Sequence, residues 1–448
     1  MQLYPHQRAA VEWLSRTDRA ILADDMGLGK TASALVALVP PALVVVPAVV
    51  VWNWLREIEA WRPRLRVQHL RSGKDVPDRS ADIIVMSHGL LVRQPKLWAA
   101  LHALPLFETL VVDECHLMRN ARAQRSRAVF GHGLVSPAPL AARARRVWGL
   151  SGTPMPNTPV DLWMQMRGLR PDLVPENWRD WRRRYCKLAP DRYDPSGFKP
   201  VGVINAPELR ARLAPMILRR RKGEVLDLPA MRTEVVALRP VKWPPEFEAI
   251  MAKVEAKVAQ GRKPADVLTA LELAGSPAAA FAALLDAAEF STFARVCGTA
   301  KVEPVIDLLT MELEGTAHKQ VVVARHLDVV AGIAAGLDAF GCVTITGDVA
   351  AKERAARVER FQADATCRVI VVQITAGGVG ITLTASSEIL FAEMSFVPAE
   401  NAQARDRIHR IGQTSACRVR LVTLAGTVDE IVGLVLQRKL AMISAVVS

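Results

Sequence analysis

Short β-branched runs recur along this chain at intervals that leave room for a helix between them. One series comprises PALVVVPA around 44–46, DIIVMS at 82–87, TLVVDE at 109–114 and RVWGLSG at 146–152. A second begins downstream with QVVVAR (320–325), CVTITG (342–347), RVIVVQI (368–374), SEILFAE (387–393) and RVRLVTL (418–424). Apolar strands alternating with helical stretches such as VVVWNWLREIEAWR describe a mainly parallel sheet, because each crossover lays a helix on the sheet and both faces become buried. Two series mean two α/β units, and 448 residues are more than one ordinary core can organise.

The expected division is 1–228 and 229–448. Residues 156–218, with Trp163, Trp178 and Trp181 set among arginines and prolines, read as a helical insertion in the first unit. Residues 246–295 are alanine-rich, broken near Gly261 and at Gly275-Ser276-Pro277, and read as a helical insertion in the second. The basic and then proline-bearing stretch RRRKGEVLDLPAMRTEV (219–235) is the candidate hinge.

Half the residues are apolar and 23% are charged, a balance that suits a globular protein and argues against a disordered one. The formal charge of +13 comes mostly from arginines in RNARAQRSR (119–127), RARR (143–146), WRDWRRRY (178–185) and LRRRKGE (218–224). Such an excess fits a polyanionic partner or a solvated basic surface, and charge alone does not choose between them. Six scattered cysteines show neither a C-x-x-C pair nor Cys/His zinc spacing, so reduced buried thiols are expected rather than disulfides or a structural metal. The longest apolar run is cut by Pro47 and falls short of the ~20 residues a membrane span requires. A soluble cytoplasmic protein is the expectation, nucleoid-associated if the source is bacterial or phage.

The stretch ILADDMGLGKTASALV (21–36) resembles a phosphate-binding loop with a residue exchanged. Gly29-Lys30-Thr31 supply the end of G-x-x-x-x-G-K-[ST], but Asp24 stands where the first glycine belongs. Apolar flanks put the loop between a strand and a helix, where backbone N–H groups at the helix start can surround phosphates. Lys30 would reach the β/γ-phosphates of ATP, Thr31 would bind Mg²⁺, and Gly27 would supply the missing flexibility. Downstream, TLVVDECHL runs a strand into Asp113-Glu114, as expected of one carboxylate on Mg²⁺ and a second activating water. Cys115 reads as a small filler, and His116 as a coupling residue, since no second histidine stands at ligand spacing. If ENAQARDRIHRIGQT (400–414) is helical, Gln403, Arg407 and Arg410 share one face, and the arginines could serve as fingers worth about 10³ to 10⁵ in rate.

The ordered set LYPHQRAAVEWL, ADDMGLGKT, VVVPAVVVWNWLREIEAW, VVDECH, LSGTPMPN, LRRRKGEVLDLPAMRTE, ITAGGVGITLTAS and QARDRIHRIGQT resembles the motifs of the Swi/Snf-type ATPases of helicase superfamily two. The resemblance implies two RecA-like lobes, ATP held between them, and DNA-stimulated hydrolysis coupled to tracking along double-stranded DNA, including forked or branched forms, by a monomeric motor with or without a recruiting protein. It implies that Gln7 contacts adenine, Gly27, Gly29, Lys30 and Thr31 the phosphates, and Thr31 and Asp113 the Mg²⁺. It gives Glu114, Gln403, Arg407 and Arg410 catalytic roles, makes His116, Ser151, Thr153 and Gly380 coupling residues, and points to Thr375 and Arg325 as nucleic-acid contacts. Many relatives carry arginine where Thr375 stands, asparagine where Thr382 stands, and Trp-Asn where Phe396-Val397 stand. These departures look closer to the annealing-helicase (HARP-like) branch than to nucleosome remodellers. The alternatives are a nucleotide-gated DNA-binding subunit active only with a partner protein, and an RNA-directed motor.

Overall fold

The computed structural model describes residues 2–424 apart from 93, 132–137, 176, 191–195, 260–286 and 377–380, together with residues 427, 429, 436, 443 and 446. The chain divides into two compact units, Met1–Asp227 with Lys439–Ser448, and Leu228–Arg438. The expected boundary at 228/229 differs from this at the C-terminus, where Val446 is buried in the apolar core of the first unit and Ile443 packs against it.

The first unit is built on seven strands, all paired in parallel: β1 (Arg19–Leu22), β2 (Ala42–Val46), β3 (Val67–Leu70), β4 (Ile83–Ser87), β5 (Phe107–Asp113), β6 (Ala144–Leu150) and β9 (Ile217–Leu218), in the order β3-β4-β2-β5-β6-β1-β9. Every residue of β2 is buried, as a central strand between two layers of helix requires. Register aligns Leu22 of β1 with Leu150 of β6, and Leu150 with Asp113 of β5, so three strands end level with one another. Helix α1 (Pro5–Arg16) precedes the sheet, α2 (Lys30–Ala37) follows β1, and α3 (Val51–Trp61) buries Val51, Trp54 and Ile58 at helical spacing.

The segment expected as a helical insertion at 156–218 holds helices Val160–Leu169, Trp178–Tyr185 and Ala206–Leu213, but it also holds an antiparallel hairpin of β7 (Cys186–Pro190) and β8 (Phe198–Val203). Its tryptophans are structural. Trp163 and Trp181 are buried and donate their indole N–H to the carbonyls of Pro175 and Pro159 at 3.0 and 2.8 Å. Burying an indole is favourable when its single donor is satisfied.

The second unit carries a six-stranded parallel sheet, β10 (Met231–Leu238), β11 (Gln320–Ala324), β12 (Cys342–Ile345), β13 (Val369–Gln373), β14 (Glu388–Phe391) and β15 (Cys417–Leu424), in the order β10-β15-β14-β11-β13-β12. Alternation divides the strands between two cores: Val321, Val323, Ile370 and Val372 line one face, and Val322, Ala324, Val369 and Val371 the other. The stretch 219–235 is not a linker of irregular chain. It contains a short helix, Lys222–Val225, and the first five residues of β10. Of the expected insertion at 246–295, helices Pro245–Ala259 and Ala287–Ala300 are described, and 260–286 lie outside the described residues. All six cysteines are reduced thiols, five of them buried. Among the described residues no helix is long and apolar enough to cross a membrane.

Candidate active site

The loop after β1 turns on two glycines with positive φ, Gly27 at 84° and Gly29 at 74°, and α2 starts at Lys30. Gly29 has a second reason to lack a side chain: a Cβ there would lie 2.0 Å from Nε2 of Gln7. Gln7 is buried, accepts from the Tyr4 N–H at 2.9 Å and donates to the Leu28 carbonyl at 3.3 Å, while His6 Nε2 lies 3.0 Å from that same oxygen. Helix α1 is thereby fastened to the phosphate-binding loop. Lys30 Nζ donates to the carbonyls of Asp24 (2.7 Å) and Asp25 (3.2 Å). Burial pulls its ammonium below the ordinary lysine range, opposed by the charges of Glu114, Asp24, Asp113 and Asp25.

The residue that breaks the loop consensus has a partner. Asp24 is 1% exposed and is held by both edges of the Arg220 guanidinium, Nε to Oδ1 at 2.9 Å and Nη2 to Oδ2. A buried carboxylate needs a bidentate cation of this kind.

Asp113 ends β5 and Glu114 follows with φ 48° and ψ 49°, a left-handed conformation that a non-glycine residue occupies at a cost of order 1–3 kcal/mol. Trp54 Nε1 donates to Asp113 Oδ2 at 2.8 Å, and the Glu114 N–H donates to Asp113 Oδ1 at 3.0 Å. Burial first, then the adjacent Glu114 charge, pushes the Asp113 carboxyl up to about 7. Burial acts upward on Glu114 as well, but His116 and Lys30 outweigh it and hold Glu114 below the usual range. His116 Nδ1 lies 3.2 Å from Glu114 Oε2 and 2.9 Å from Ser151 Oγ, which accepts from the Thr153 N–H at 3.1 Å. Glu114, His116, Ser151 and Thr153 therefore form one chain of contacts from the end of β5 to the turn after β6. Cys115 is packed beneath them, its thiol pushed well up by burial, 3.2 Å from Gln165 Oε1 and against Gly149. It is a filler, as its size suggested.

In the second unit the expected helix across 400–414 is shorter. It runs Pro398–Arg405 and carries Gln403, whereas Arg407 and Arg410 lie beyond its end. The chain turns there as Arg407 and Ile408 switch to tighter bonds (Arg407 N to Ala404 O at 3.3 Å, Ile408 N to Arg405 O at 3.3 Å) and Ile408 plunges into the core. Gln413 Nε2 locks the turn by donating to the carbonyls of Ile408, Thr384 and Ser386 at 2.9 to 3.3 Å. Arg407 is buried and its carbonyl accepts from the Leu383 N–H; Arg410 donates to the Ile381 carbonyl at 3.3 Å, and burial lowers its guanidinium from the ordinary value. Arg325 and exposed Thr375 follow the level ends of adjacent β11 and β13. Arg325 lies 5.0 Å over the Phe396 ring, and Glu393 accepts from the N–H groups of Arg325 and His326 at 2.8 and 3.0 Å. Gly380 lies outside the described residues.

Four participants were invisible as such in the sequence. Trp54 lay in a quoted motif, and only its i, i+3 and i+7 apolar stripe marked it, as a core residue. His6 had no signal beyond adjacency to Gln7. Arg219 and Arg220 were counted as surface charge, although Arg219 donates to the Gly152 carbonyl at 3.1 Å and lies 3.4 Å from Asp25.

Residues 6–247 match the SNF2-related domain, and residues 300–412 the Helicase conserved C-terminal domain. The SWI/SNF-related matrix-associated actin-dependent regulator of chromatin subfamily A-like protein 1 of Xenopus tropicalis is 31% identical over 98% of this chain and 44% of its own. The human DNA annealing helicase and endonuclease ZRANB3 is 30% identical over 98% of this chain and 40% of its own. The chain thus spans less than half the length of these curated relatives. The Sulfolobus solfataricus SWI2/SNF2 ATPase core in complex with dsDNA aligns over 99% of this chain and 93% of its own, at 21% identity and a TM-score of 0.44. With its first α/β unit matched to the SNF2-related domain and part of its second to the helicase C-terminal domain, the chain belongs to the SNF2-related family of helicase-like ATPases.

Proposed function

We propose that this ATPase is stimulated by double-stranded DNA, forked or branched forms included, and converts ATP hydrolysis into movement along the duplex, remodelling DNA structures or protein–DNA complexes. The observation that carries this reading is the contact chain Glu114–His116–Ser151, which ties the acid after β5 to the turn after β6. A site that only bound nucleotide would need no such connection. The human relative is named a DNA annealing helicase, and the +13 charge suits a phosphate backbone.

In this reading Gln7 contacts adenine, the loop amides from Gly27 to Gly29 and the Lys30 ammonium bind phosphates, and Glu114 orients water and accepts its proton. His116, Ser151, Thr153 and Gly380 pass the state of the site onward. Gln403, Arg407 and Arg410 contribute to turnover, and Thr375 and Arg325 contact DNA. The working halves are 1–228 and 229–448.

Among the described residues no group of three or more His, Cys, Asp or Glu side chains could hold a metal by itself. Asp113, crowded by Glu114 and raised to about 7, together with the Thr31 hydroxyl suits a Mg²⁺ that arrives with nucleotide phosphates and keeps several waters. Bound there, the ion would neutralise developing phosphate charge. A monomeric cytoplasmic protein, with or without a recruiting partner, completes the reading.

The test is the ATPase rate alone and with duplex, forked and single-stranded DNA or RNA. Duplex or fork should stimulate most, with an affinity that falls steeply as salt rises. A rate indifferent to duplex overturns the proposal, and a larger response to RNA replaces it with the RNA-directed motor.

A further inference from the structure

The arginines that follow β9 reach three elements of the candidate nucleotide site. Pairing with β1 continues past the strand itself: Ile21 N donates to Met216 O and Ala23 N to Leu218 O, both at 2.7 Å, and Asp25 N donates to Arg220 O at 3.0 Å. This extended ladder brings the Arg219 and Arg220 side chains to the loop from 196 residues away. Arg220 grips both oxygens of Asp24 and also donates through Nη1 to the His6 carbonyl, next to Gln7. Arg219 donates to the carbonyl of Gly152, between Ser151 and Thr153, and pairs with Asp25, whose other oxygen accepts from the Lys222 N–H at 3.1 Å.

The loop they hold is where Lys30 rests. Its ammonium donates to the main-chain carbonyls of Asp24 and Asp25, the two residues whose side chains the arginines fix. A phosphate that takes Lys30 must compete with those carbonyls, and their position depends on how firmly the acids are clamped. The Asp24 carboxylate bonds Arg220 rather than Lys30, so it acts on the lysine through its charge and through the main-chain carbonyl that its clamp positions.

We infer that Arg220 and Asp24, assisted by Arg219 and Asp25, are positioning residues that set nucleotide affinity by fixing the loop and the resting place of Lys30. The pair explains how this loop dispenses with its first glycine: the acid that replaces it is part of a buried clamp. The inference rests on Lys30 as the phosphate-binding residue and not on any action on DNA.

The experiment measures binding of a fluorescent ATP analogue without DNA, KM and kcat for ATP with duplex DNA, and Tm, for the full chain and its Asp24→Asn, Arg220→Gln, Arg220→Lys and Asp24→Asn/Arg220→Gln variants. Each neutral single should weaken analogue binding and raise KM about tenfold, with kcat within about threefold of the parent, because buried charge pairs couple by amounts of this size. The double should be no weaker than the worse single, since removing both charges leaves neither stranded. Arg220→Lys, which keeps charge and loses the fork, should fall between parent and Arg220→Gln. Unchanged analogue binding in both singles with a lowered Tm would make the pair merely structural and overturn the inference. So would a double whose KM rise is the product of the two singles. Should Arg220→Gln fail to fold, Asp24→Asn and Arg220→Lys decide through the same affinity readout. Loss of DNA stimulation with the affinity pattern intact would overturn the motor reading and leave the clamp standing.

Discussion

At the level ends of β1, β5 and β6 the first sheet gathers acids and one lysine, Asp24, Asp25, Asp113, Glu114 and Lys30, whereas the matching ends of β11, β13 and β14 in the second carry Arg325, exposed Thr375 and a glutamate, Glu393, engaged with backbone N–H groups. Both sheets are parallel and both bury strands on two faces, so the architecture does not account for the difference. The difference lies in the loops that leave the strands, where a parallel α/β fold leaves residues free to vary. In one unit acids crowd around a single lysine, and in the other an arginine stacks on an aromatic ring beside a glutamate taken up by backbone N–H groups. Arginine is also used in opposite ways. In the first unit Arg219 and Arg220 neutralise acids of the loop, and in the second Arg407 and Arg410 lie in a turn held to 381–386 by backbone and amide bonds.

The largest expected effect tests whether nucleotide binding belongs to the first unit: Lys30→Ala should abolish both analogue binding and hydrolysis. Arg410→Ala sharpens the contrast, keeping nucleotide binding while lowering turnover by about 10³ to 10⁵, measured in a single-turnover assay. Comparable loss of binding in that variant would erase the proposed division of labour. Glu114→Gln should retain ATP and cut hydrolysis by about 10² to 10⁴, and an active variant would reassign the base. Trp54→Phe removes one donor to Asp113; an ordinary hydrogen bond is worth about 0.5–1.5 kcal/mol, so turnover should drop by about two- to tenfold with the fold intact by circular dichroism. The smallest effect lies away from the site. Glu208 is held down to about 2 by the Tyr185 hydroxyl at 2.7 Å, then by Arg184 and Arg212. A depressed carboxyl stabilises the fold above its unfolded value and loses that contribution as pH falls from about 4.5 towards 2. The Tm gap between the parent and Glu208→Gln should therefore be present at pH 6 and close across that window.

What the sequence disclosed tracks the range of the forces involved. Buried strands such as ALVVV and QVVVA are written in unbroken β-branched runs because both neighbours in space are apolar. Within the candidate hinge, where the division between the units falls, the edge strand β10 was not legible because MRTEVVAL mixes charges into a half-exposed pattern soon after a proline. The β7–β8 hairpin was hidden likewise, with exposed or half-buried positions through most of its length. Local motifs located Lys30, Asp113, Glu114 and His116, since loop and strand end are contiguous in the chain. The end of the helix at Arg405 was not legible, because what stops it is the amide of Gln413 reaching Thr384 and Ser386. The partner of Asp24 was equally out of reach at a separation of 196 residues.

The continuation of the β1 ladder into the glycine-bearing loop has a dynamic consequence. Loop amides ordinarily exchange with solvent deuterium far faster than those of a central strand. Here the Asp25 N–H is bonded in the same series as those of Ile21 and Ala23, so its protection should approach theirs. The loop would then open only together with the sheet that carries it.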